Sequence, residues 1–362
     1  MTSIGEGYGI GGVIAPSMVT VIMPIRNEES SIAQSLEAVL TQEYPPHLME
    51  VLIADGESTD STKMVVEAVS RRFSQTSLKV ITNKGRTAAA GMNCAINQAS
   101  GDIIIRVDGH ARVDPKYIAI ALEVLQRTGA DHVGGPVLAE GVGRFGASVA
   151  IAAVLPFGMG GGGFRYSGRE EPVDSVSMGA WRREVFDKIG LFDEELVRDQ
   201  DEEFNYRLIS SGGKIMHSPQ MKCRYLNRSS PKSLWRQQLQ YGYWKVRVCQ
   251  RHPRQMHARH FVPAVFVVTV AGSLALSFFY APARSILAAI TGSYATLSIV
   301  SAAWFSARNH EPTAEVALLP VVFLIIHLSY GVGFLWGLVA FRGRWGAGRH
   351  LSLSAMGQTA GK

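Results

Sequence analysis

The sequence predicts an α/β domain with a mostly parallel, doubly wound sheet, followed by transmembrane helices. Between residues 19 and 108, four short runs rich in β-branched residues alternate with amphipathic segments. Strands separated by helices in this way pair in parallel through right-handed crossovers. From residue 261 onward the chain becomes almost wholly apolar, as membrane-spanning helices are.

The predicted elements follow one another in a regular order. Strands are predicted at 19–24, 50–55, 78–81 and 101–108, and helices at 30–41, 58–73 and 88–98. The fourth strand ends in Asp108-Gly109-His110, which joins an acidic residue to a potential metal ligand. Open α/β sheets bind ligands just beyond the carboxyl ends of their strands. We therefore expect Asp108 to face a crevice that holds a diphosphate through a metal ion.

Three apolar runs, at 263–281, 285–305 and 316–341, define a predicted membrane region at 261–341. Each has about the 20 residues that a helix needs to cross a bilayer. Buried helices of a soluble protein are the alternative, but three such runs in sequence rarely fit one core. The other predicted segments are a mobile Gly-rich tail without a signal peptide at 1–18, the α/β domain at 19–260 and a basic tail at 342–362.

The formal net charge of +6 is concentrated before the first apolar run. The stretch from Lys222 to His260 contains no acidic residue and many basic ones. The positive-inside rule then predicts a multi-pass protein of the cytoplasmic (inner) membrane, with the α/β domain in the cytoplasm. A solvated basic face and a nucleic-acid surface are the alternatives. Because basic residues beside a membrane segment favour anionic headgroups, we expect no nucleic-acid partner.

The charges after the last apolar run disagree with a simple three-span topology. Three spans would export the tail, whereas Arg342, Arg344 and Arg349 favour the cytoplasmic side. One run is therefore expected to be re-entrant or to lie along the membrane surface.

The three cysteines, Cys94, Cys223 and Cys249, lack metal-ligand spacing and fit a reducing compartment.

Charged and polar residues follow each predicted strand. Any one of them has an ordinary interpretation as a turn residue or a surface charge. Together they are expected at one edge of the sheet, because the carboxyl ends of parallel strands meet there. These residues are Pro24, Arg26 and Glu28 after the first strand, Asp55 at the end of the second, Arg86 after the third and Asp108 at the end of the fourth.

The motifs resemble those of a known family, the inverting glycosyltransferases of family 2 with the GT-A fold. Val19-Thr-Val-Ile-Met-Pro-Ile-Arg-Asn-Glu-Glu29 is similar to that family's first strand and loop, and Val51-Leu-Ile-Ala-Asp-Gly-Glu-Ser-Thr-Asp60 to its second. The succinoglycan-type exopolysaccharide glycosyltransferases share Asp-Gly-His at the usual D-x-D position. The resemblance covers roughly residues 19–250.

The resemblance implies binding roles for the strand-end residues. Pro24, Arg26 and Glu28 match the loop that holds the uracil and ribose of a nucleotide sugar. Asp55 matches the acid that accepts a hydrogen bond from the base, and Arg86 falls near the basic residue beside the diphosphate. Asp108 would contact the ribose and help to hold a divalent cation. His110 stands where a metal-binding Asp is usual, and imidazole suits Mn²⁺ better than Mg²⁺, which leaves the choice between these metals open.

The resemblance also implies a catalytic base. In the segment 197–208, Asp201 aligns with the catalytic Asp of the family's Glu-Asp motif, although Gln200 replaces the Glu. A hydroxyl that attacks an oxocarbenium-like carbon needs a carboxylate within hydrogen-bond reach. The alternative is an acidic helix start that favours the helix dipole. Arg207 is expected to pair with Glu203 on the helix face.

Two further segments resemble acceptor-binding motifs of the family. Gly179 lies in a predicted turn where a bare backbone allows close approach of a sugar. An ordinary strand-to-helix turn is equally consistent. Gln240 and Trp244 match a Q-x-x-R-W motif, but Tyr243 replaces its Arg, which argues for a single transfer rather than polymerisation. Trp244 is suited to stacking on a sugar or to anchoring at the membrane interface.

The Gly-rich run at 157–163 lacks the Lys-Ser/Thr of a phosphate-binding loop. A mobile lid, or an amphipathic interface helix that includes the apolar run at 147–157, is more consistent with this segment than a phosphate-binding loop.

These expectations together imply a membrane-anchored, metal-dependent enzyme that extends a lipid-linked (polyprenyl) saccharide in exopolysaccharide biosynthesis. UDP-glucose is the expected donor, on the family likeness alone, and other polysaccharide-assembly proteins are expected partners. One alternative is a polyprenyl-phosphate sugar synthase, whose phosphate nucleophile needs no base. A non-catalytic nucleotide-binding membrane scaffold is the other. A dehydrogenase is disfavoured, because no G-x-G-x-x-G follows the first strand.

Overall fold

A computed structural model describes residues 17–159, 167–309 and 314–344. Most of the predicted tails at 1–18 and 342–362 therefore lies outside the described residues. The strands are β1 (Val19–Ile25), β2 (Met49–Asp55), β3 (Ser77–Thr82), β4 (Ile103–Arg106), β5 (Ala111–Val113), β6 (His132–Gly134), β7 (Val137–Glu140), β8 (Glu171–Pro172), β9 (Ala180–Arg182), β10 (Ile215–His217) and β11 (Cys223–Leu226).

The helices of the α/β domain connect these strands, and those beyond residue 257 form the apolar region. They are α1 (Ile32–Leu40), α2 (Thr62–Ser70), α3 (Ala88–Ile96), α4 (Tyr117–Thr128), α5 (Gly143–Val154), α6 (Pro156–Met159), α7 (Glu184–Ile189), α8 (Gln200–Ser210), α9 (Pro231–Arg251), α10 (Ala258–Leu276), α11 (Ala281–Asn309), α12 (Ala314–Ala317) and α13 (Leu319–Ala340). A 3₁₀ helix spans Pro253–Gln255.

The main sheet confirms the predicted doubly wound arrangement in its first half. Its strand order is β3-β2-β1-β4-β9-β6-β10-β8, and β1 pairs in parallel with both β2 and β4. The four predicted strands and three predicted helices all occur in order. The second half is mixed, because β9 pairs antiparallel with both β4 and β6. A second sheet has the order β5-β11-β7.

Both faces of the main sheet are covered, as its strand pattern predicts. Val21 and Met23 of β1 pack with α1 and α4 in one apolar cluster, whereas Ile22 points into a second cluster with α3, α7 and α8. All three side chains are fully buried. This core holds the carboxyl ends of β1, β2, β3 and β4 at a common edge, where the site is built.

Three helices are long and apolar enough to cross a membrane, as the sequence predicts: α10, α11 and α13. Large apolar side chains are exposed on α10 and in the turn that follows it; Phe279, for example, is 90% exposed. Exposure of that size marks a surface made to contact lipid. The mixed α/β domain and these apolar helices together agree with the predicted fold class.

Helix α13 packs against α9 through small residues. Gly333 of α13 lies against the Leu239 carbonyl, and Gly337 against that of Tyr243. In the opposite direction, Gly242 of α9 faces the Tyr330 carbonyl. Glycines allow two helix backbones to approach more closely than larger residues do. The two helices therefore run side by side as one rigid pair.

We predict that Gly242→Ala destabilises the protein. A Cβ at position 242 would lie 2.0 Å from the Tyr330 carbonyl oxygen, so the two helix backbones must separate. We expect the free energy of unfolding to fall by about 1–3 kcal/mol, as measured by chemical denaturation in detergent. Gly292→Ala on α11 is the control, because a Cβ there meets nothing within 4 Å. Equal stability of the two variants would show that the α9–α13 contact is loose.

Candidate active site

The strand-end loops and the first turn of α8 open onto one cavity of about 1700 Å³. Most of the predicted site residues line it. These are Pro24, Arg26, Glu28, Arg86, Asp108, His110 and Asp201. The cavity thus brings together side chains that the sequence places at the ends of three separate strands and on a helix.

A buried guanidinium joins the two central acidic residues. Arg106 is the last residue of β4, and its side chain is only 6% exposed. Its Nε and Nη2 donate to Oδ1 and Oδ2 of Asp108 at 2.7 and 3.1 Å. Its Nη1 donates to Oδ1 of Asp201 at 2.5 Å. The end of β4 and the start of α8 are therefore tied together by one cation.

The two carboxyl groups differ in their pKa. Burial raises the pKa of Asp108, but the charge of Arg106 and the two hydrogen bonds from it outweigh burial and hold the pKa below its usual range. Burial also raises the pKa of Asp201, and there Arg106 only partly offsets it, so the net pKa is raised. A carboxylate with a raised pKa is the better proton acceptor near neutral pH.

His110 lies beside Glu28 at the mouth of the strand-end loops. Its Nδ1 is 2.8 Å from Glu28 Oε1, and Ser31 Oγ donates to the other oxygen of Glu28 at 2.9 Å. Burial lowers the pKa of His110, but the hydrogen bond to Glu28 and the charges of Glu28 and Asp108 together outweigh it and raise the pKa overall. A carboxylate on Nδ1 also orients an imidazole for metal binding through Nε2.

Asp108 and His110 are compatible with the binding of a cation whose other ligands come from a bound substrate. No three His, Cys, Asp or Glu side chains form a metal-ligand group within the described residues. Asp108 and His110 nevertheless line the same cavity. Mg²⁺ and related ions are commonly bound by one or two protein ligands together with substrate phosphates. Two ligands are therefore enough if a diphosphate supplies the rest.

Four residues other than glycine have left-handed backbone conformations in the described part of the chain, and all of them except Glu57 line the cavity. They are Asn27, Glu57, Arg86 and Asp199, with φ between 54° and 62°. Asn27 is held by a hydrogen bond from the Thr59 backbone N–H to its Oδ1 at 2.9 Å, and Glu57 forms an ion pair with Arg86. Such conformations cluster at binding sites, where neighbouring contacts compensate for the strain.

Asp55 ends β2 as predicted but does not line the cavity. It is 1% exposed, and its carboxylate accepts hydrogen bonds from the backbone N–H and hydroxyl of Ser58. Lys63 Nζ lies 3.2 Å from it. These contacts order the loop after β2, and the base-binding role that the family resemblance implies for Asp55 stays a prediction.

A second buried cation fixes the start of α8. Lys245 of α9 lies 3.2 Å from Asp199 and forms an ion pair with Glu202. Burial raises the pKa of Asp199 to about 6, although Lys245 opposes the shift. On the same helix, Arg207 Nε donates to Glu203 at 2.9 Å, which confirms the predicted structural pair. The first turn of α8, which contains Asp201, is therefore held by two buried cations, Arg106 and Lys245.

The predicted acceptor residues lie outside the cavity. Gly179 is enclosed, since a Cβ there would meet the Val133 carbonyl oxygen at 2.0 Å. Gln240 accepts a hydrogen bond from Arg198, and Trp244 packs against Tyr243 and Phe341. Neighbours on the same helix line the cavity instead, namely Gln237, Gln238, Tyr241 and Lys245. Acceptor roles for Gly179, Gln240 and Trp244 stay predictions.

Part of the Gly-rich run lies outside the described residues, so the lid interpretation of 157–163 cannot be followed beyond Met159. The apolar segment before it forms α5 and α6, and Phe157 contacts Phe323 of α13. Phe157 also lines the cavity. This segment is therefore helical, as predicted, and packs on α13, whereas its place at the membrane interface stays a prediction.

Comparisons with known proteins agree with this geometry. The model of glycosyl transferase family 2 matches residues 20–190. A relative from Methanococcus voltae is 30% identical over 62% of this chain and 72% of its own length; its name is dolichyl N-acetyl-alpha-D-glucosaminyl phosphate 3-beta-D-2,3-diacetamido-2,3-dideoxy-beta-D-glucuronosyltransferase. The chain belongs to glycosyltransferase family 2.

Two other similarities extend along nearly the whole of this family 2 glycosyltransferase. The succinoglycan biosynthesis protein ExoA of Rhizobium meliloti (strain 1021) is 26% identical over 90% of this chain and 96% of its own length. The solved mannosyltransferase PcManGT of Pyrobaculum calidifontis, in complex with GDP-Man and Mn²⁺, has a TM-score of 0.56 and 19% identity, and the match covers 90% of each chain. At that identity the likeness shows the GT-A fold alone.

Several cavity residues of this family 2 glycosyltransferase are not predicted from its sequence. Arg106 had a visible signal, because it is a charged residue inside an otherwise apolar strand. Arg198 had none, since its importance comes from the spatial approach of its charge to Asp108 and Asp201. Lys245 was noted only as one of many basic residues.

We predict that Arg106→Met destabilises the protein by about 3–5 kcal/mol near neutral pH, because two buried carboxylates lose their shared cation. The loss of Arg106 raises the pKa of both groups in the folded state. Stability then decreases as the pH rises through the new pKa values, so the deficit should be larger at pH 8 than at pH 5. Chemical denaturation at both pH values in detergent measures it.

Arg127→Gln is the control for this experiment. Arg127 is 52% exposed and pairs with Glu170, so its loss should cost less than about 1 kcal/mol at either pH. If Arg106→Met lowered the free energy of unfolding as little as Arg127→Gln, Arg106 would not hold Asp108 and Asp201 together in the way described here.

Proposed function

We propose that this chain is an inverting, metal-dependent glycosyltransferase that transfers a sugar from a nucleotide sugar to a lipid-linked saccharide. The observation that carries the proposal is the continuity of the cavity. It runs from Asp108 and Asp201 to residues of α10, α11 and α13, such as Phe266 and Leu297. A soluble acceptor would not need a cavity that extends between apolar helices, whereas a lipid-linked acceptor would.

Within this proposal, Asp201 is the general base. The acceptor hydroxyl oxygen forms a bond to the anomeric carbon, the bond from that carbon to the phosphate oxygen breaks, and the hydroxyl proton passes to Asp201. Arg106 contacts only Oδ1 of Asp201 by hydrogen bond, and its charge limits the rise in the pKa of this residue. Attack opposite the departing diphosphate inverts the anomeric configuration.

The donor is proposed to bind at the edge formed by the strand-end loops. Pro24, Arg26 and Glu28 follow β1 in the cavity wall, and Arg86 follows β3. Asp108 and His110 would hold a divalent cation, Mn²⁺ or Mg²⁺, which when bound supplies Lewis-acid stabilisation of the leaving diphosphate. UDP-glucose as donor and exopolysaccharide as product rest on the motif resemblance and on the likeness to the succinoglycan biosynthesis protein.

Lipid linkage of the acceptor has support from a relative as well as from the cavity. The name of the Methanococcus voltae protein describes transfer to a dolichyl phosphate-linked sugar. The apolar helices place the same kind of acceptor within reach of this chain. Residues 19–260 would then form the catalytic domain and 261–341 the membrane region.

We predict that Asp201→Asn lowers the rate of sugar transfer by about 10²- to 10⁴-fold, because the amide cannot accept the hydroxyl proton. Binding of the nucleotide sugar should stay near the wild-type value. Membranes that carry the protein are incubated with labelled nucleotide sugars, with and without Mn²⁺, and label in the butanol-extractable lipid fraction is counted. Asp187→Asn, an exposed aspartate on α7, is the control.

An Asp201→Asn variant that keeps nearly full activity would contradict the role of Asp201 as the general base. That result would favour a polyprenyl-phosphate sugar synthase, whose nucleophile is already ionised. Absence of transfer and of metal-dependent hydrolysis with every nucleotide sugar would favour the non-catalytic scaffold.

The membrane arrangement is proposed from the packing of α9 and α13. Leu234 near the start of α9 shares a cluster with Leu319, and Gln250 near its end donates to the Phe341 carbonyl at 2.8 Å. Arg344, just after α13, lies 3.0 Å from Glu195 of the α/β domain. Both ends of α13 are therefore on the side of the α/β domain.

A membrane-spanning α13 would carry α9 into the hydrocarbon with it. Helix α9 has several basic residues, and each charge at the centre of a bilayer costs about 2.5–3.5 kcal/mol on insertion scales. We therefore propose that α10 and α11 form a two-span hairpin and that α13 lies along the cytoplasmic interface. This arrangement keeps Arg342 and Arg344 inside, as the positive-inside rule requires.

We predict that Tyr280→Cys, in the turn between α10 and α11, reacts with an impermeant maleimide added to intact cells. Gly343→Cys should react only in inverted vesicles, as should Lys116→Cys in the α/β domain, which is the control. The three native cysteines are first replaced by serine. Labelling of Gly343→Cys from outside would contradict the hairpin and support three spans.

A further inference from the structure

The cavity has an apolar extension between the membrane helices. Of the polar side chains in this part of the lining, Tyr294 and His327 are hydrogen-bonded to each other. The apolar ones include Phe266 of α10, Ile290 and Leu297 of α11 and Ile326 of α13. Phe157 of α6 closes the side next to α13. Side chains of this kind offer no hydrogen bonds to a sugar, so this part of the cavity suits a hydrocarbon chain.

Two arginines line the same cavity. Arg254 lies in the 3₁₀ helix before α10, and Arg259 in the first turn of α10. Burial raises the pKa of Glu202, whereas Lys245 and, more weakly, His260 and Arg259 lower it, with a net decrease. Because Glu202 is next to Asp201 in the chain, the charge of Arg259 acts close to the proposed base.

These arginines are left without acidic partners while their neighbours are neutralised. Arg224 pairs with Glu140, and Arg247 and Arg251 pair with Glu195. No acidic side chain among residues 17–159, 167–309 and 314–344 lies within salt-bridge distance of Arg254 or Arg259. Unpaired guanidinium groups on a cavity wall are suited to a phosphate, which they bind through paired N–H donors.

We propose that Arg254 and Arg259 bind the phosphate of a single-chain lipid phosphate, with the first part of its hydrocarbon chain lying between α10, α11 and α13. This inference rests on the proposed function and deepens it, because the lipid phosphate is the carrier of the acceptor saccharide. The cavity lining offers groups for each part of such a molecule: apolar side chains of α10, α11 and α13 for the hydrocarbon, the two arginines for the phosphate and Asp201 for the saccharide.

Other anionic occupants fit the cavity less well. Free inorganic phosphate would leave the apolar extension unfilled. A bilayer phospholipid has a headgroup that ends at the membrane surface, and it has no reason to enter a cavity that continues to the catalytic carboxylates. The two arginines and the apolar side chains that line the same cavity therefore point together to one ligand with a phosphate and a single long chain.

The first test measures binding of labelled farnesyl phosphate to the full-length protein in phospholipid nanodiscs. We expect Arg254→Gln/Arg259→Gln to weaken binding by about tenfold or more, since two charge-assisted contacts are lost. Arg254→Lys/Arg259→Lys should restore part of the affinity. Arg236→Gln is the control, because Arg236 is an exposed arginine on α9 that does not line the cavity. Farnesol should bind more weakly and be insensitive to all of these substitutions.

A second test locates the hydrocarbon chain. p-Benzoylphenylalanine in place of Ile290, which lines the cavity, should crosslink to farnesyl phosphate in the presence of excess phospholipid. The same probe in place of Ile299, which is 60% exposed and outside the cavity lining, should not. This comparison does not depend on enzyme activity or on the folding of the arginine variants.

The inference is overturned if the double Gln variant binds farnesyl phosphate as tightly as the wild type. It is also overturned if inorganic phosphate or phospholipid competes as well as farnesyl phosphate, or if positions 290 and 299 crosslink equally. Failure of the proposed function has a different signature. In that case no nucleotide sugar supports transfer to lipid, while arginine-dependent binding of farnesyl phosphate persists.

Discussion

The arrangement of the catalytic cavity depends on one buried charge. Arg106 is placed in the central strand β4, where an unpaired guanidinium would be strongly unfavourable, and it is tolerated because Asp108 and Asp201 both accept hydrogen bonds from it. The contact brings together residues that are 95 positions apart in the chain. It also gives the two carboxyl groups different pKa values, so that one stays ionised and the other is suited to accept a proton.

Helix α9 connects this site with the membrane. On one side, Lys245 pairs with Asp199 and Glu202 at the start of α8, next to Asp201. On another side, Gly242 allows the backbone of α13 to come into contact. A single helix therefore sets the position of the proposed base relative to the apolar helices.

Local patterns allowed much of the fold to be predicted. Strands β1 to β4, the helices between them and the apolar helices were all expected, because alternation and run length are properties of neighbouring residues. Asp108 and Asp201 could be chosen from motifs. The antiparallel strand β9 was not expected, since its pairing with β4 joins segments far apart in the chain. Gln240 and Trp244 match a motif, yet the helix turns them away from the cavity and presents Gln238 and Tyr241 to it.

The sequence by itself determined the α/β class of the domain, the common edge of its strand-end residues and the length of its apolar helices. Each of these follows from composition and spacing within short windows. Only the tertiary structure decided which arginines of the cavity wall form ion pairs with other described residues, and which apolar helix packs on α9. Those outcomes depend on the directions of side chains that meet across long separations in the chain, and no local pattern specifies them.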